Sequence, residues 1–172
     1  MVDRVQAILN NPVYHEYMLN NQEREQQRIF CKHGWEHSFD VARVAYILVL
    51  EAKCTQDQEN DQANCLTKEL VYAAALLHDI GRWKQYDEGV DHAQVGAELA
   101  VNILQQAGFQ REEITIIRES ISCHRHREAN QSILGTVLYN ADKIVRPCHR
   151  CMAREECNKI GEMERFQASR VY

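Results

Sequence analysis

Six histidine and aspartate side chains stand where predicted helices turn their apolar faces inward. They are His37, His78, Asp79, His92, His124 and Asp142. Neutral imidazoles and carboxylates are the nitrogen and oxygen ligands that transition metals take. Their types therefore predict a metal centre, provided that the fold brings them together.

The His78-Asp79 pair is the most informative of these residues. It follows the apolar run from Leu70 to Leu77, and Gly81 comes two residues later. An imidazole and a charged carboxylate at the end of such a segment are costly to bury unpaired. A bound metal ion would offset that cost for both side chains at once.

The other ligand candidates continue apolar stripes on their own predicted helices. Residues three, four and seven apart share one helix face. The stripes are His37 with Val41, Val44 and Leu48; Val71 and Ala74 with His78; His92 with Val95, Gly96, Leu99 and Ile103; Ile114, Ile117 and Ile121 with His124; and Leu134 and Leu138 with Asp142. His126 lies about 200° around the helix from His124 and should point away.

Core packing is the alternative explanation for each of these residues alone. One inward histidine is more often a packed core residue than a ligand. An inward Asp142 can instead pair with Arg43 or Arg146. Five helices that each direct a histidine or an aspartate inward are hard to explain by packing, so we favour the metal centre.

The elements that carry these residues are predicted to be helices throughout. Two prolines and seven glycines leave few helix breakers, and no segment alternates with a two-residue period. We predict an all-α fold with helices from Pro12 to about Ile29, Trp35 to Lys53, Thr67 to Gly81, Asp91 to near Gly108, Arg111 to His126, and Ser132 to Arg146. We predict loops at 55–63 and 82–89, and a helical tail over 150–172.

Length and charge limit the class of protein. A chain of 172 residues, 45% hydrophobic and 26% charged, predicts one soluble domain over residues 1–172 with a cysteine-bearing tail over 147–172. A net charge of −5 argues against nucleic-acid and membrane-surface binding. The sequence shows no transmembrane span and no signal-peptide pattern, so we expect a cytoplasmic protein. A homodimer is compatible with the sequence.

The ordered ligand set resembles the HD-domain superfamily of metal-dependent phosphohydrolases. His37, His78-Asp79 and Asp142 match its H…HD…D signature over about residues 33–146. His78-Asp-Ile-Gly-Arg82 is similar to the HD-I-G-[K/R] segment of that family, and Asn140-Ala-Asp-Lys143 is similar to its A-D-K word.

The resemblance implies a single-domain helical bundle with a metal held by His37, His78, Asp79 and Asp142. His92 and His124 resemble the second-metal ligands of the dinuclear subset, in which Asp79 would bridge the two ions. The H-x-x-x-G word of that subset is present as His92 to Gly96. The G-Y-P word of the cyclic-dinucleotide branch is absent.

The implied reaction is hydrolysis of a phosphate ester or anhydride through a metal-bridged hydroxide. The substrate would be a small phosphorylated molecule, with nucleotides and dinucleoside polyphosphates as the leading class. We expect one or two divalent ions, with iron or manganese favoured over magnesium, zinc, nickel or cobalt. Asp79, Arg82 and Lys143 are the catalytic candidates. Arg82 can alternatively complement a helix dipole, and Lys143 can be a salt-bridge partner behind a ligand.

Two other functions fit the same ligands. A di-iron oxygenase that resembles this superfamily uses the same histidines and aspartates. A regulatory module could keep the metal without catalysing a reaction. Oxygen consumption would identify the first, and absence of turnover with metal fully loaded would favour the second.

The cysteines form a separate pattern in the tail. Cys148, Cys151 and Cys157 are closely spaced, Cys31 lies six residues before His37, and Cys148 lies six residues after Asp142. Six residues span about 9 Å of helix, so Cys31 should approach the cluster if His37 and Asp142 meet. Four thiolates could hold a structural zinc or an iron–sulfur cluster, and metal-free thiols are the alternative. We expect Cys54, Cys65 and Cys123 to be bystanders.

Overall fold

A computed structural model describes residues 3–55, 66–126 and 131–167. Within these ranges the regular secondary structure is helical, and no residue is in a strand. The α-helices are α1 (Arg4–Leu9), α2 (Pro12–Arg24), α3 (Trp35–Thr55), α4 (Lys68–Leu77), α5 (Arg82–Glu88), α6 (His92–Gln106), α7 (Arg111–Cys123), α8 (Ile133–Ile144) and α9 (Ile160–Gln167). A 3₁₀ turn spans Cys148–Arg150. The predicted all-α fold is confirmed.

The helix starts follow the capping residues seen in the sequence. Asn11 accepts hydrogen bonds from Val13 and Tyr14, with proline at the first helical position. Thr67, Asp91 and Ser132 likewise accept backbone N–H donors at the starts of α4, α6 and α8. These bonds satisfy donors that a helix start leaves free. The cap predictions are confirmed.

Helix α4 is the centre of the core. Its buried residues are Leu70, Val71, Ala73, Ala74, Ala75, Leu76 and Leu77. It packs against α1, α3, α6, α7 and α8, and α3 also packs against α8. Because α4 is apolar nearly all round, it can only be buried. Its C-terminal end therefore lies inside the molecule, and it delivers His78 and Asp79 there.

Two glycines allow the turn after α4 to lie directly on α6. A Cβ atom at Gly81 would stand 2.6 Å from the His92 carbonyl oxygen and 2.7 Å from the Gly96 nitrogen. A Cβ at Gly96 would stand 3.4 Å from the Gly81 nitrogen. The close approach brings the first turn of α6, and with it His92, next to His78 and Asp79.

Two of the predictions before α6 are wrong. Helix α2 ends at Arg24 and not near Ile29, because Glu25 turns inward and is buried against His33. Residues 82–89 are not a loop, since α5 occupies Arg82–Glu88 between Gly81 and the left-handed Gly89. Its charged residues carry no apolar period that could have revealed a helix.

The ends of three later helices also differ from the predictions. Helix α4 ends at Leu77 and α7 at Cys123, so that His78 and His124 lie in the turns that follow. The tail contains hydrogen-bonded turns over 151–159 and becomes helical only at Ile160. The predicted loop at 55–63 lies outside the described residues except for Thr55, which ends α3.

None of the helices within 3–55, 66–126 and 131–167 is long and apolar enough to cross a membrane.

Candidate metal centre

Four predicted ligands from three parts of the chain converge at the end of α4. The ligand atoms of His37, His78, Asp79 and Asp142 all lie within 4.8 Å of one another. His37 Nε2 is 3.1 Å from Asp142 Oδ1, and His78 Nε2 is 3.1 Å from Asp79 Oδ2. This group of two imidazoles and two carboxylates could hold one metal ion.

A second ligand group shares Asp79 with the first. His92 Nε2 is 3.2 Å from Asp79 Oδ1, and His124 Nε2 is 3.7 Å from the same oxygen. The His92 and His124 Nε2 atoms are 3.4 Å apart. The two oxygens of Asp79 therefore face different ligand groups, each of which could hold an ion.

Hydrogen bonds at the far side of three imidazoles set their orientation. His78 Nδ1 donates to the Ala75 carbonyl oxygen at 2.6 Å, and His124 Nδ1 donates to that of Ile121 at 2.7 Å. His92 Nδ1 donates to Gln85 Oε1 at 2.5 Å. With the proton on Nδ1, each ring presents the lone pair of Nε2 to the centre. Metal-binding histidines are usually fixed in this way.

Several atoms at the centre have no hydrogen-bond partner among the residues that the structure describes. They are His37 Nε2, His78 Nε2 and Asp79 Oδ2, and all three are buried. Buried polar atoms left unpaired are costly, and native proteins rarely retain them. A cation between these atoms would satisfy all three, so the donor set fits a divalent transition metal.

Burial and charge determine the protonation of the ligands. Burial would raise the pKa of Asp79, but His78 and Arg82 outweigh burial and hold it well below its ordinary value. Burial would likewise raise the pKa of Asp142, which Arg146 and Lys143 hold well below its ordinary value. Both carboxylates are ionised at neutral pH.

The imidazoles differ in their readiness to bind a cation. Burial lowers the pKa of His37, and it lowers the pKa of His92 to about 4. Burial would also lower the pKa of His78, but the adjacent Asp79 carboxylate raises it. His37 and His92 are therefore neutral ligands at pH 7, whereas a cation binding at His78 competes with a proton.

Three cationic side chains border the two ligand groups. Lys143 Nζ donates to Asp142 Oδ2 at 2.7 Å, and Arg146 Nη2 donates to Asp142 Oδ1 at 2.5 Å. Arg82 Nε lies 3.9 Å from Asp79 Oδ1, and it is buried with no hydrogen-bond partner within the described ranges. The expected pairing of Asp142 with Arg146 is present, but it occurs alongside the ligand group and does not replace it.

Arg82 is held by a buried network that sequence reasoning did not identify in full. Arg82 Nη2 donates to His33 Nε2 at 2.6 Å, so His33 is neutral with its proton on Nδ1. His33 Nδ1 donates to Glu25 Oε1 at 2.6 Å, and the Tyr86 hydroxyl donates to the same oxygen at 2.6 Å. Burial lowers the pKa of His33 to about 3, in agreement with a neutral ring.

Asn21 is a second residue that the sequence did not reveal. Its side chain is fully buried, donates to the Asp79 carbonyl oxygen at 2.9 Å, and accepts from the Trp83 N–H at 2.7 Å. It thereby fixes the turn that carries Asp79 and Arg82. Asn21 and Glu25 lie in a stretch rich in glutamine and glutamate, a composition that is typical of an exposed helix face.

The four cysteine candidates, Cys31, Cys148, Cys151 and Cys157, all lie within the described residues. Burial raises the pKa of Cys148, and the nearby Cys31, Cys157 and Cys151 thiols raise it further. None of these four is in a disulfide. Cys54 is exposed, and Cys65 lies outside the described residues. His126 is exposed and outside both ligand groups, as its helical position predicts.

Comparisons with known proteins agree with this geometry. A family model described as HD domain matches residues 34–146. An uncharacterized protein from Clostridium beijerinckii is 35% identical over 166 residues, which cover 96% of this chain and 98% of that protein.

Two further matches cover different shares of the chain. The crystal structure of a predicted HD superfamily hydrolase from an uncultured Thermotogales bacterium superposes with a TM-score of 0.61 and 24% identity, over 90% of this chain and 84% of that one. A bifunctional uridylyltransferase/uridylyl-removing enzyme from Gluconobacter oxydans is 43% identical over 47 residues, or 27% of this chain and 4% of that enzyme.

The fold and the site together define the class of protein. It is a helical bundle with a buried group of histidines and aspartates that could hold metal ions. With the family match over residues 34–146, the chain belongs to the HD domain family. The resemblance seen in the ordered ligands is confirmed.

Proposed function

We propose that this protein is a metal-dependent phosphohydrolase that uses two divalent ions. The observation that carries the proposal is the position of Asp79, whose two carboxylate oxygens face two separate groups of ligands. His37, His78 and Asp142 would complete one group, and His92 and His124 would complete the other. The ligand chemistry favours iron or manganese.

Bound ions supply Lewis acidity, which lowers the pKa of water and offsets negative charge on a phosphate. The protein itself would orient the reactants. The fixed Nδ1–H bonds of His78, His92 and His124 keep these rings in place, and the buried position of the centre limits access of bulk water.

Arg82 supports a phosphorylated substrate. Its guanidinium stands beside the centre, and none of the described residues offers its buried Nε–H an acceptor. A guanidinium is suited to bind phosphate oxygens through parallel hydrogen bonds. A phosphate oxygen would supply both the acceptor and a negative charge opposite the guanidinium. We therefore favour hydrolysis of a phosphate ester or anhydride, with nucleotides and dinucleoside polyphosphates as leading substrates.

Lys143 and Arg146 would act through Asp142. Each donates to a different oxygen of that carboxylate, so they hold its orientation. We assign both as positioning residues and not as groups that contact the substrate.

A combined metal and activity assay tests the proposal. Wild type and the variants His78→Ala and Asp79→Asn would be purified anaerobically, loaded with iron or manganese, and assayed for phosphate release from nucleotides and dinucleoside polyphosphates. We expect both variants to lose bound metal and turnover together, while His126→Ala keeps both because His126 is exposed. Turnover that persists in a metal-free variant, or oxygen consumption in place of phosphate release, would refute it.

A further inference from the structure

The C-terminal segment that follows α8 is ordered with little apolar burial. Between Cys148 and Ile160 the only buried residues are Cys148 and Ala153, and Met152 is fully exposed. Fixing a backbone costs about 1–2 kcal/mol per residue in conformational entropy. Apolar contacts within these residues are too few to offset that cost, so interactions at their ends or through their polar side chains and thiols must hold them.

Hydrogen-bonded turns give the segment a regular course. The Cys151 N–H donates to the Cys148 carbonyl at 3.3 Å, and the Ile160 N–H donates to the Cys157 carbonyl at 3.2 Å. The Arg154 N–H donates to Cys151, and the Cys157 N–H donates to Arg154. Three of the residues at which the chain turns are cysteines. Their thiols are thereby kept near the end of α8.

Cys31 reaches the same place from the other side of the metal centre. His37 and Asp142 are in contact at 3.1 Å, which brings together the segments that precede α3 and follow α8. The Arg146 guanidinium lies beside Cys31 and bonds to Asp142. Arg28 Nε donates to the Cys31 carbonyl at 2.8 Å. These contacts hold the segment before α3 beside the residues that follow α8.

We propose that Cys31, Cys148, Cys151 and Cys157 together hold an iron–sulfur cluster. The cluster would fasten the C-terminal segment to the loop before α3. It is a site separate from the histidine–aspartate centre and does not depend on the proposed hydrolysis.

The described cysteine sulfurs do not stand as close together as a single zinc ion requires. Four thiolates around zinc, with Zn–S bonds of about 2.3 Å, must stand about 3.8 Å apart. Among the described residues, no three cysteine sulfurs lie within 4.8 Å of one another. In a [4Fe–4S] cluster each thiolate binds a different iron, so the sulfurs stand farther apart than around one ion.

Anaerobic purification of the full chain from iron-supplemented cells tests the site. Iron, zinc and acid-labile sulfide would be measured with the visible absorption spectrum, before and after cluster reconstitution. We expect stoichiometric sulfide and a broad visible band from wild type. Absence of sulfide after reconstitution would overturn the proposal, as would one equivalent of zinc bound by these cysteines.

Variants separate this site from the histidine–aspartate centre. Serine substitution of Cys31, Cys148, Cys151 or Cys157 should remove most of the sulfide and the visible band, while Cys54→Ser, at an exposed position, should keep them. Asp79→Asn should lose metal at the other centre but retain sulfide. Full sulfide in all four cysteine variants would contradict the assignment, and folding would be checked by circular dichroism.

Discussion

Arg82 is the residue that most directly links the centre to an anionic substrate. We expect Arg82→Gln to keep bound metal, because Arg82 is not a ligand, and to lose about 10²–10³-fold in kcat/KM for a phosphorylated substrate. Steady-state kinetics and metal analysis would measure both. Arg43→Gln is the matched control, since Arg43 is exposed, forms an ion pair with the exposed Asp40 and is not part of either ligand group. Equal kinetics for the two variants would count against a phosphate contact.

His33 makes the stability of the fold sensitive to acid. Burial lowers its pKa from 6.5 to about 3. Below pH 6.5 the unfolded chain takes up a proton at this residue and the folded chain does not, so stability falls as the pH falls toward 3. Burial would raise the pKa of Glu25, but His33 and Tyr86 lower it from 4.5 to about 2. The stabilising contribution of Glu25 is thus lost between pH 4.5 and 2, in the same direction.

Denaturant unfolding of His33→Gln tests this dependence. At equal metal loading, the free energy of unfolding of wild type should fall by up to about 1.4 kcal/mol more per pH unit below pH 6.5 than that of the variant. The reason is that the variant takes up one proton fewer on unfolding, because it lacks the imidazole. Parallel curves for the two proteins between about pH 7 and pH 5 would show that His33 is not the group responsible.

Among the contacts between helices, the one between the α4–α5 turn and α6 matters most for the centre, because it places His92 next to His78 and Asp79. Gly81→Ala would place a methyl group 2.6 Å from the His92 carbonyl oxygen, and backbone on both sides leaves little room to move. We expect a loss of about 1–3 kcal/mol in the free energy of unfolding and weaker metal binding at His92. Thermal unfolding and metal titration would measure these effects.

Gly34→Ala is the control for this substitution. Among the described residues, no atom other than those of Gly34 and its chain neighbours lies within 4 Å of a Cβ added at Gly34, so stability should change by less than about 0.5 kcal/mol. Equal stability of the two alanine variants would show that the close approach at Gly81 is not needed.

Local signals in the sequence predict the helix starts and the ligand candidates. Caps such as Asn11 and Asp91 act within three residues, and inward histidines follow an apolar period, so both are visible along the chain. The buried positions of Glu25 and Asn21 depend on contacts with other parts of the chain. Glu25 contacts His33, and Asn21 contacts Asp79 and Trp83. The sequence does not predict helix α5, because this short polar helix between Gly81 and Gly89 has no apolar period.

At the scale of the whole molecule, the C-terminal segment closes over the end of α8. Gln167 Nε2 donates to the carbonyl oxygens of Lys143 and Ile144, and Phe166 packs against Tyr139 with ring centroids 5.7 Å apart. We propose that this segment belongs to the same domain as residues 34–146. Residues 143–147 connect Asp142 of the histidine–aspartate centre to Cys148 of the proposed cluster site.

Anomalous diffraction from crystals of the metal-loaded protein tests the central claim most directly. The proposed centre predicts two peaks about 3.5–4 Å apart. Asp79 would lie between them, with His37, His78 and Asp142 at one peak and His92 and His124 at the other. A single peak, or no peak beside His92 and His124 at full metal loading, would contradict a centre in which Asp79 joins two ions.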